Sequence, residues 1–286
     1  MEEKGKSSII QPVLSIIIPC YNHGQYLREA VESVALCSST TLYEIIIIND
    51  GSTDEFTIKV LQELQSEGYN IIHQTNLGLG AARNNAIKEA RGKYILPLDC
   101  DNRIRPDYIY EGIDVLNNHP GVAVVYGDAE YFGEKQGRWI VGPFNLQNLM
   151  LNNYIDACAV FRKSIWEKLN GYDTHMPIMG FEDWDLWLRF ALDGQHFYYI
   201  NKVLFDYRVL AGSMSNSNDI SNSLALSAYM DEKYKDYLGK KYVEETLIKN
   251  LKENKRLLLK LYLRAFFPGV ISYLIRKKKI VNEGIL

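Results

Sequence analysis

The chain has 286 residues, 47% of them hydrophobic and 23% charged, and its 32 Lys and Arg stand against 35 Asp and Glu for a net charge of −3. That balance leaves no whole-molecule field for nucleic acid, so no nucleic-acid partner is expected. The length carries a large core, as one α/β domain with an appendage or as two smaller domains, and no run reaches the ~18 apolar residues of a membrane-spanning helix.

Met1 to Gln11 is polar, without the apolar segment of a secretion signal. Cys20, Cys37, Cys100 and Cys158 are scattered, which predicts reduced thiols in a cytoplasmic protein. Leu14 to Ile18 reads as a strand buried on both faces and ending at Pro19. Asn22-His23-Gly24 turns into a helix from about Gln25 to Leu36. Glu44 to Asn49 repeats the pattern, with Asp50-Gly51 as a turn and Ser52-Thr53-Asp54 capping a helix that runs to about Glu67. A short strand, Tyr69 to His73, leads through Asn76-Leu77-Gly78-Leu79-Gly80 into a helix from Ala81 to Ala90, and a further strand from Tyr94 ends at Asp99. This alternation predicts a parallel sheet. Ligands of such sheets bind beyond the carboxyl ends of the strands.

The polar residues gather at those ends. In extended backbone Asp99 and Asp101 point the same way, so they can converge on one cation, or on a cation and a ribose. Carboxylate oxygens suit Mg²⁺ or Mn²⁺, ions that also hold substrate phosphates. The competing reading of Asp99-Cys100-Asp101 is a turn or helix cap before Pro106. Tyr21 and Asn22 either turn the chain or stack on a base. Asp50 either makes a turn with Gly51 or accepts hydrogen bonds from a base edge or ribose. Gly78 and Gly80 resemble a phosphate loop but match neither a Walker A loop nor a G-x-G-x-x-G fingerprint. Arg83, one turn into the next helix, is a surface residue or a ligand of that loop.

Taken in order, Ser15-Ile-Ile-Ile-Pro19-Cys-Tyr21-Asn22, Glu44 to Asp54, Asn76-Leu-Gly78 with Ala82-Arg83-Asn84, and Leu98-Asp99-Cys100-Asp101 closely resemble the family 2 glycosyltransferases. The motifs match over residues 14 to 102, with a further match near residue 182. The resemblance implies a GT-A fold (a Rossmann-like, mostly parallel α/β sheet flanked by helices), a nucleotide-diphosphate sugar donor with uridine as the expected base, and a Mn²⁺ or Mg²⁺ cofactor. It also implies inversion at the anomeric carbon. Pro19, Tyr21, Asn22, Asp50, Asn76, Gly78, Arg83, Asp99 and Cys100 would line the nucleotide-sugar pocket, and Asp101, with Asp99, would meet the metal.

Val122 to Tyr126 reads as another strand, followed by a small β-ribbon to about Val141, a short helix from Leu146 to Asn152 and a strand from Cys158 to Arg162. A loop from Gly171 to Gly180 precedes a helix opening with Phe181-Glu182-Asp183-Trp184. Glu182 and Asp183 at that N-terminal turn suit the helix dipole, and a purely structural role is the alternative. The resemblance makes the pair the acceptor site, with Asp183 the general base and Glu182 orienting the acceptor. Neither a Gln-x-x-Arg-Trp motif nor membrane spans of a processive synthase are found. Tyr207-Arg208 resembles the family's closing segment, but the histidine that follows there in many members is missing. Arg208 would supply charge to the leaving diphosphate, or else sit in a surface salt bridge.

From Asn222 the composition changes to amphipathic helices, about Ser223 to Tyr237 and Lys241 to Leu263, broken at Pro268-Gly269 and followed by Arg276-Lys277-Lys278-Lys279. A basic amphipathic helix with a polybasic end suits an anionic membrane surface, here the inner face of the plasma membrane. Packing on the catalytic domain or on a second subunit of a homo-oligomer is the alternative. The expected organisation is a polar arm over 1–12, a catalytic domain over 13–220 with donor half 13–127 and acceptor half 128–220, and a helical extension over 221–286. The function expected is non-processive, metal-dependent sugar transfer to a saccharide or lipid-linked acceptor in bacterial surface polysaccharide assembly. The rivals are a catalytically silent nucleotide-sugar-binding or scaffold protein, and a sugar nucleotidyltransferase, whose Gly-rich triphosphate loop after the first strand is absent.

Overall fold

A computed structural model describes residues 11–37, 42–210 and 220–237. The chain divides into two compact units, residues 1–217 and 218–286. The first begins with β1 (Leu14–Cys20), buried at every position, α1 (Gly24–Ala35), β2 (Tyr43–Asp50), α2 (Glu55–Ser66), β3 (Asn70–Gln74), α3 (Leu79–Glu89) and β4 (Tyr94–Pro97). Then come β5 (Arg103–Ile104), α4 (Pro106–Asn118), β6 (Val122–Gly133), β7 (Gly137–Trp139), α5 (Leu146–Leu151), β8 (Val160–Arg162), α6 (Lys163–Lys168), α7 (Glu182–Leu192) and β9 (His196–Val209).

Among the described residues these strands form one sheet in the order β3-β2-β1-β4-β8-β6-β9-β5, with β7 paired to β6. β1, β2, β3 and β4 pair in parallel, as the alternation of strands and helices predicts. β8 enters antiparallel between β4 and β6, which restores the original direction in β6 and its parallel neighbour β9. Pro19 lies inside β1 rather than ending it. β1 pairs with β4 only as far as Ile17, and Ile17 O faces β4 in accepting from Leu98 N at 2.9 Å. By alternation the missing N–H of Pro19 falls on that side, past the end of the pairing, so no ladder bond is lost.

Local chemistry fixes the helix starts. Asp54 caps α2 by accepting from Thr57 N at 2.7 Å, and Pro106 opens α4 where its missing N–H has no partner to lose. The helices α4 and α6 and the long strand β9 have no counterpart in the sequence expectations, and the strand expected from Cys158 begins only at Val160. One correction bears on the site. Asp99 and Asp101 do not continue β4 in extended backbone; Asn102 N bonds back to Asp99 O at 2.9 Å, closing a turn.

The Tyr108 hydroxyl ties α4 to β6 and to the start of β8. It lies 2.9 Å from Val125 O on β6 and 3.0 Å from Cys158 O, one of which takes its proton, and it accepts from Val160 N at 3.3 Å. In the second unit, α8 (Ile220–Lys233) covers part of the expected helix from Ser223, and buried Leu226, Met230 and Tyr234 recur every four residues. The expected helix from Lys241, the break at Pro268-Gly269 and the basic run at 276–279 lie outside the described residues. Tyr108→Phe, which strands buried polar atoms without changing shape, is expected to lower unfolding free energy by about 1–3 kcal/mol in urea denaturation.

Candidate active site

The site lies where β1, β2 and β4 end. Its centre is Arg83 on α3, 2% exposed, whose guanidinium donates to Asp99 Oδ1 at 2.6 Å and lies over the Tyr172 ring with 5.5 Å to the centroid. Burial opposes its charge, but Asp99, Asp183 and Glu182 outweigh that and raise its pKa. Arg83 is therefore a buried cation, not the surface residue of the competing reading, and its Nε has no hydrogen-bond partner.

The two carboxylates of the Asp-Cys-Asp turn divide in role. Asp99 spends one oxygen on Arg83. Asp101 has no salt bridge and no side-chain hydrogen bond to another residue among the described residues, and its pKa rises to about 6 through burial and the charge of Asp99, against the pull of His23, its own backbone N–H and Arg208. Asp101 is thus the freer oxygen ligand. Among the described residues no three His, Cys, Asp or Glu side chains converge on a point. A hard divalent cation fits Asp101 and the second oxygen of Asp99 when phosphate and water complete its shell. Cys100 is buried, and its interaction with the Cys20 thiol, together with burial, raises its pKa; all four cysteines are free thiols.

Several expected nucleotide contacts turn out to tie loops. Asp50 accepts from Gln74 Nε2 at 2.7 Å, Leu77 N at 2.8 Å and Gly78 N at 3.0 Å. Gly51, at φ 73°, lets this loop lie against Asn76, whose backbone N would be 2.5 Å from a Cβ there. Asn76 Oδ1 also accepts from Gly78 N, so the Gly78 amide is directed at protein acceptors. Asn22, at φ 54°, accepts from Thr53 N and Asp54 N at 2.8 and 3.0 Å and so joins the ends of β1 and β2. Tyr21 is 45% exposed and its ring is open to a flat partner, whereas Pro19 is buried. Arg208 braces the Asp-Cys-Asp turn: its Nε donates to Asp101 O at 2.8 Å, its backbone N to Asn102 Oδ1 at 2.9 Å, and its guanidinium pairs with Glu29.

The Glu182-Asp183 pair opens α7. Glu182 is buried and accepts from Gly180 N at 2.9 Å; Asp183, half-buried, accepts from Asn153 Nδ2 at 2.9 Å and Trp184 N at 2.8 Å. Burial raises the Asp183 pKa to about 6 against the opposing charge of Arg83. The loop before α7 is held to α3 by Asn84, which donates to Tyr172 O at 2.8 Å and accepts from Tyr172 N at 2.7 Å. The sequence reading passed over Asn153 and Asp156. Asp156 accepts from Cys158 N at 2.8 Å, and burial, then Asp99, raise its pKa to about 8, with Asp183 adding to the effect. An acidic residue directly before the apolar run at 157–161 was the available signal.

The fold and this acidic, Arg-centred cleft define a GT-A sugar transferase. The chain belongs to glycosyl transferase family 2, whose model matches residues 15–170. An uncharacterized glycosyltransferase of Rickettsia prowazekii (strain Madrid E) is 31% identical over 258 residues, 85% of this chain and 76% of the relative. The chondroitin synthase of Escherichia coli is 31% identical over 74% of this chain, which spans only 31% of that synthase. Among solved structures, S. aureus TarS 1-349 in complex with UDP-GlcNAc matches 72% of this chain and 61% of its own at TM-score 0.60 and 19% identity. The mannosyltransferase PcManGT from Pyrobaculum calidifontis, in complex with GDP-Man and Mn²⁺, matches 92% and 83% at TM-score 0.55 and 15% identity.

Arg83→Met should leave Asp99, Asp183 and Asp156 facing one another without a cation. Removing one partner of a buried pair is expected to cost about 3 kcal/mol or more, read from the shift in denaturation midpoint.

Proposed function

We propose that this protein transfers a hexosyl or N-acetylhexosaminyl group, with inversion and one residue at a time, from a nucleoside diphosphate sugar to a saccharide or lipid-linked saccharide in the assembly of a surface polysaccharide. The observation that carries the reading is how Arg83 is shared out: it pairs with Asp99, which leaves Asp101 of the same turn without a salt bridge, and its charge acts on Asp183 of α7, whose carboxyl is held by Asn153. UDP is the expected carrier, supported by the resemblance and by the UDP-GlcNAc complex of TarS; the GDP-Man complex of PcManGT makes a guanosine donor the second case to test. The synthase relative supports the polysaccharide setting.

Asp101 and Asp99 would hold Mn²⁺ or Mg²⁺, which when bound offsets charge on the diphosphate. Tyr21, with its exposed ring, is suited to stack on the base. Asp183 takes the proton of the acceptor hydroxyl as its oxygen bonds to the anomeric carbon, while the bond from that carbon to the diphosphate breaks and the nucleoside diphosphate leaves. Glu182 steadies the segment that presents Asp183 through Gly180 N. Arg208, by holding the Asp101 carbonyl, keeps the Asp-Cys-Asp turn in place.

Asp183→Asn is expected to lower turnover by about 10²–10⁴-fold with little change in donor affinity. Asp101→Asn should abolish Mn²⁺-dependent stabilisation by UDP-sugars in a thermal-shift screen. Normal donor binding without turnover of any sugar, even to water, would instead favour the silent binding protein. Among the described residues no helix is long and apolar enough to cross a membrane. The proposed membrane contact rests on the basic C-terminal sequence, and deleting residues 255–286 should weaken salt-sensitive binding to anionic vesicles.

A further inference from the structure

Asn153 lies on the segment between α5 and β8, and its Nδ2 donates to Asp183 Oδ2 at 2.9 Å. Its Oδ1 is buried and has no hydrogen-bond partner. An orphaned buried acceptor is costly when it serves packing alone. The two ends of an amide are nevertheless interchangeable by rotation, one donating and one accepting. The donating end matches a carboxylate, and the accepting end matches the acid formed when that carboxylate has taken a proton.

The charged and titratable groups around Asp183 come from separate elements. Arg83 on α3 favours its ionised form and Glu182 on α7 opposes it. Asp156, on the segment that carries Asn153, and Tyr172, in the loop before α7, are both pushed up by burial, with the charge of Asp183 adding to it. Among these groups only Asn153 combines a side-chain hydrogen bond to the carboxylate with zero charge. Replacing it changes one hydrogen bond and leaves the charges as they are.

We propose that Asn153 is a positioning residue for the acceptor base: its amide holds Asp183 toward the cleft as a carboxylate, then turns to accept the hydrogen bond of the acid once the acceptor proton has moved to Asp183. The proton passes to water after the product leaves, and the amide returns. This rests on the reading of Asp183 as the base.

The test compares wild type with Asn153→Leu, similar in size but without polar atoms, and Asn153→Ser, which keeps a donor at shorter reach. Release of nucleoside diphosphate is followed against pH with UDP-glucose, UDP-N-acetylglucosamine and GDP-mannose, water serving as acceptor. In wild type the acid limb of kcat is expected near pH 6. In Asn153→Leu it should rise by about one unit, because the hydrogen bond lost from the charged form is worth more than the neutral one lost from the acid. Turnover at pH 6 then falls about fivefold, and about tenfold at pH 5, recovers toward wild type at pH 9, and leaves the donor KM unchanged. Asn153→Ser should fall between and carries the test if the Leu variant does not fold. The same displacement is expected in a ¹³C titration of the Asp183 carboxyl, a readout that needs no turnover. An equal loss at every pH with an unmoved limb would make Asn153 structural and overturn the proposal, as would no effect at all. Full activity in Asp183→Asn would overturn the base assignment itself, a result separable from a failure confined to Asn153.

Discussion

A single buried cation makes this cleft possible. Asp99, Asp156, Asp183 and Glu182 approach one another where the sheet ends, and carboxylates so placed repel one another and lose hydration. Arg83 meets that demand from the first turns of α3, with its charge favoured by Asp99 and by the two acids of α7. The pair with Asp99 also fixes which carboxylates remain free. Asp101 is left without a salt bridge among the described residues, and Asp183 is held by an amide instead of a cation, with its affinity for a proton raised by burial.

The backbone is arranged to keep Arg83 where it is. Asp50 gathers Leu77 N and Gly78 N ahead of α3, while Asn84 clamps Tyr172 one turn beyond the first. Both ends of the loop that leads to Asp183 thus register on the same helix: the Asn84 clamp at Tyr172, and a close approach of Gly80 to Glu182 Cγ, 3.4 Å from where a Cβ would stand. On the opposite side Arg208 and Asn102 hold the Asp-Cys-Asp turn against β9. Asp50, Tyr172 and Glu182, far apart in sequence, are thus positioned from one element.

Much of the first half was legible because its strands are short apolar runs closed by turn chemistry, and parallel pairing follows from their alternation with helices. Asp54 as a helix cap and Asn22 as a turn residue are local effects that a sequence displays. What stayed hidden is non-local. Strand β9 is half-exposed and lacks a clean alternation, since a shift in its pairing with β6 beside Asp128 breaks the period. The turn at Asp99 could not be told from extended backbone, because the bond that closes it is between main-chain atoms. The hold of Asp50 on the loop at 77–78 is not legible locally, since nothing in the sequence shows that this loop returns to it. Asn153 and Asp156 acquire meaning only when β8 is inserted beside β4 and brings their segment to Arg83 and Asp183.

The proposed function turns on one property, that burial raises the proton affinity of Asp183 while Arg83 keeps it ionisable, as the proposed base role requires. Its carboxyl titration in the intact protein, followed by ¹³C NMR and assigned through the resonance lost in Asp183→Asn, measures this directly. The midpoint is expected near 6. A midpoint of about 4, the ordinary value for an exposed aspartate, would mean that Asp183 is solvated and that the carboxylates are not organised as described.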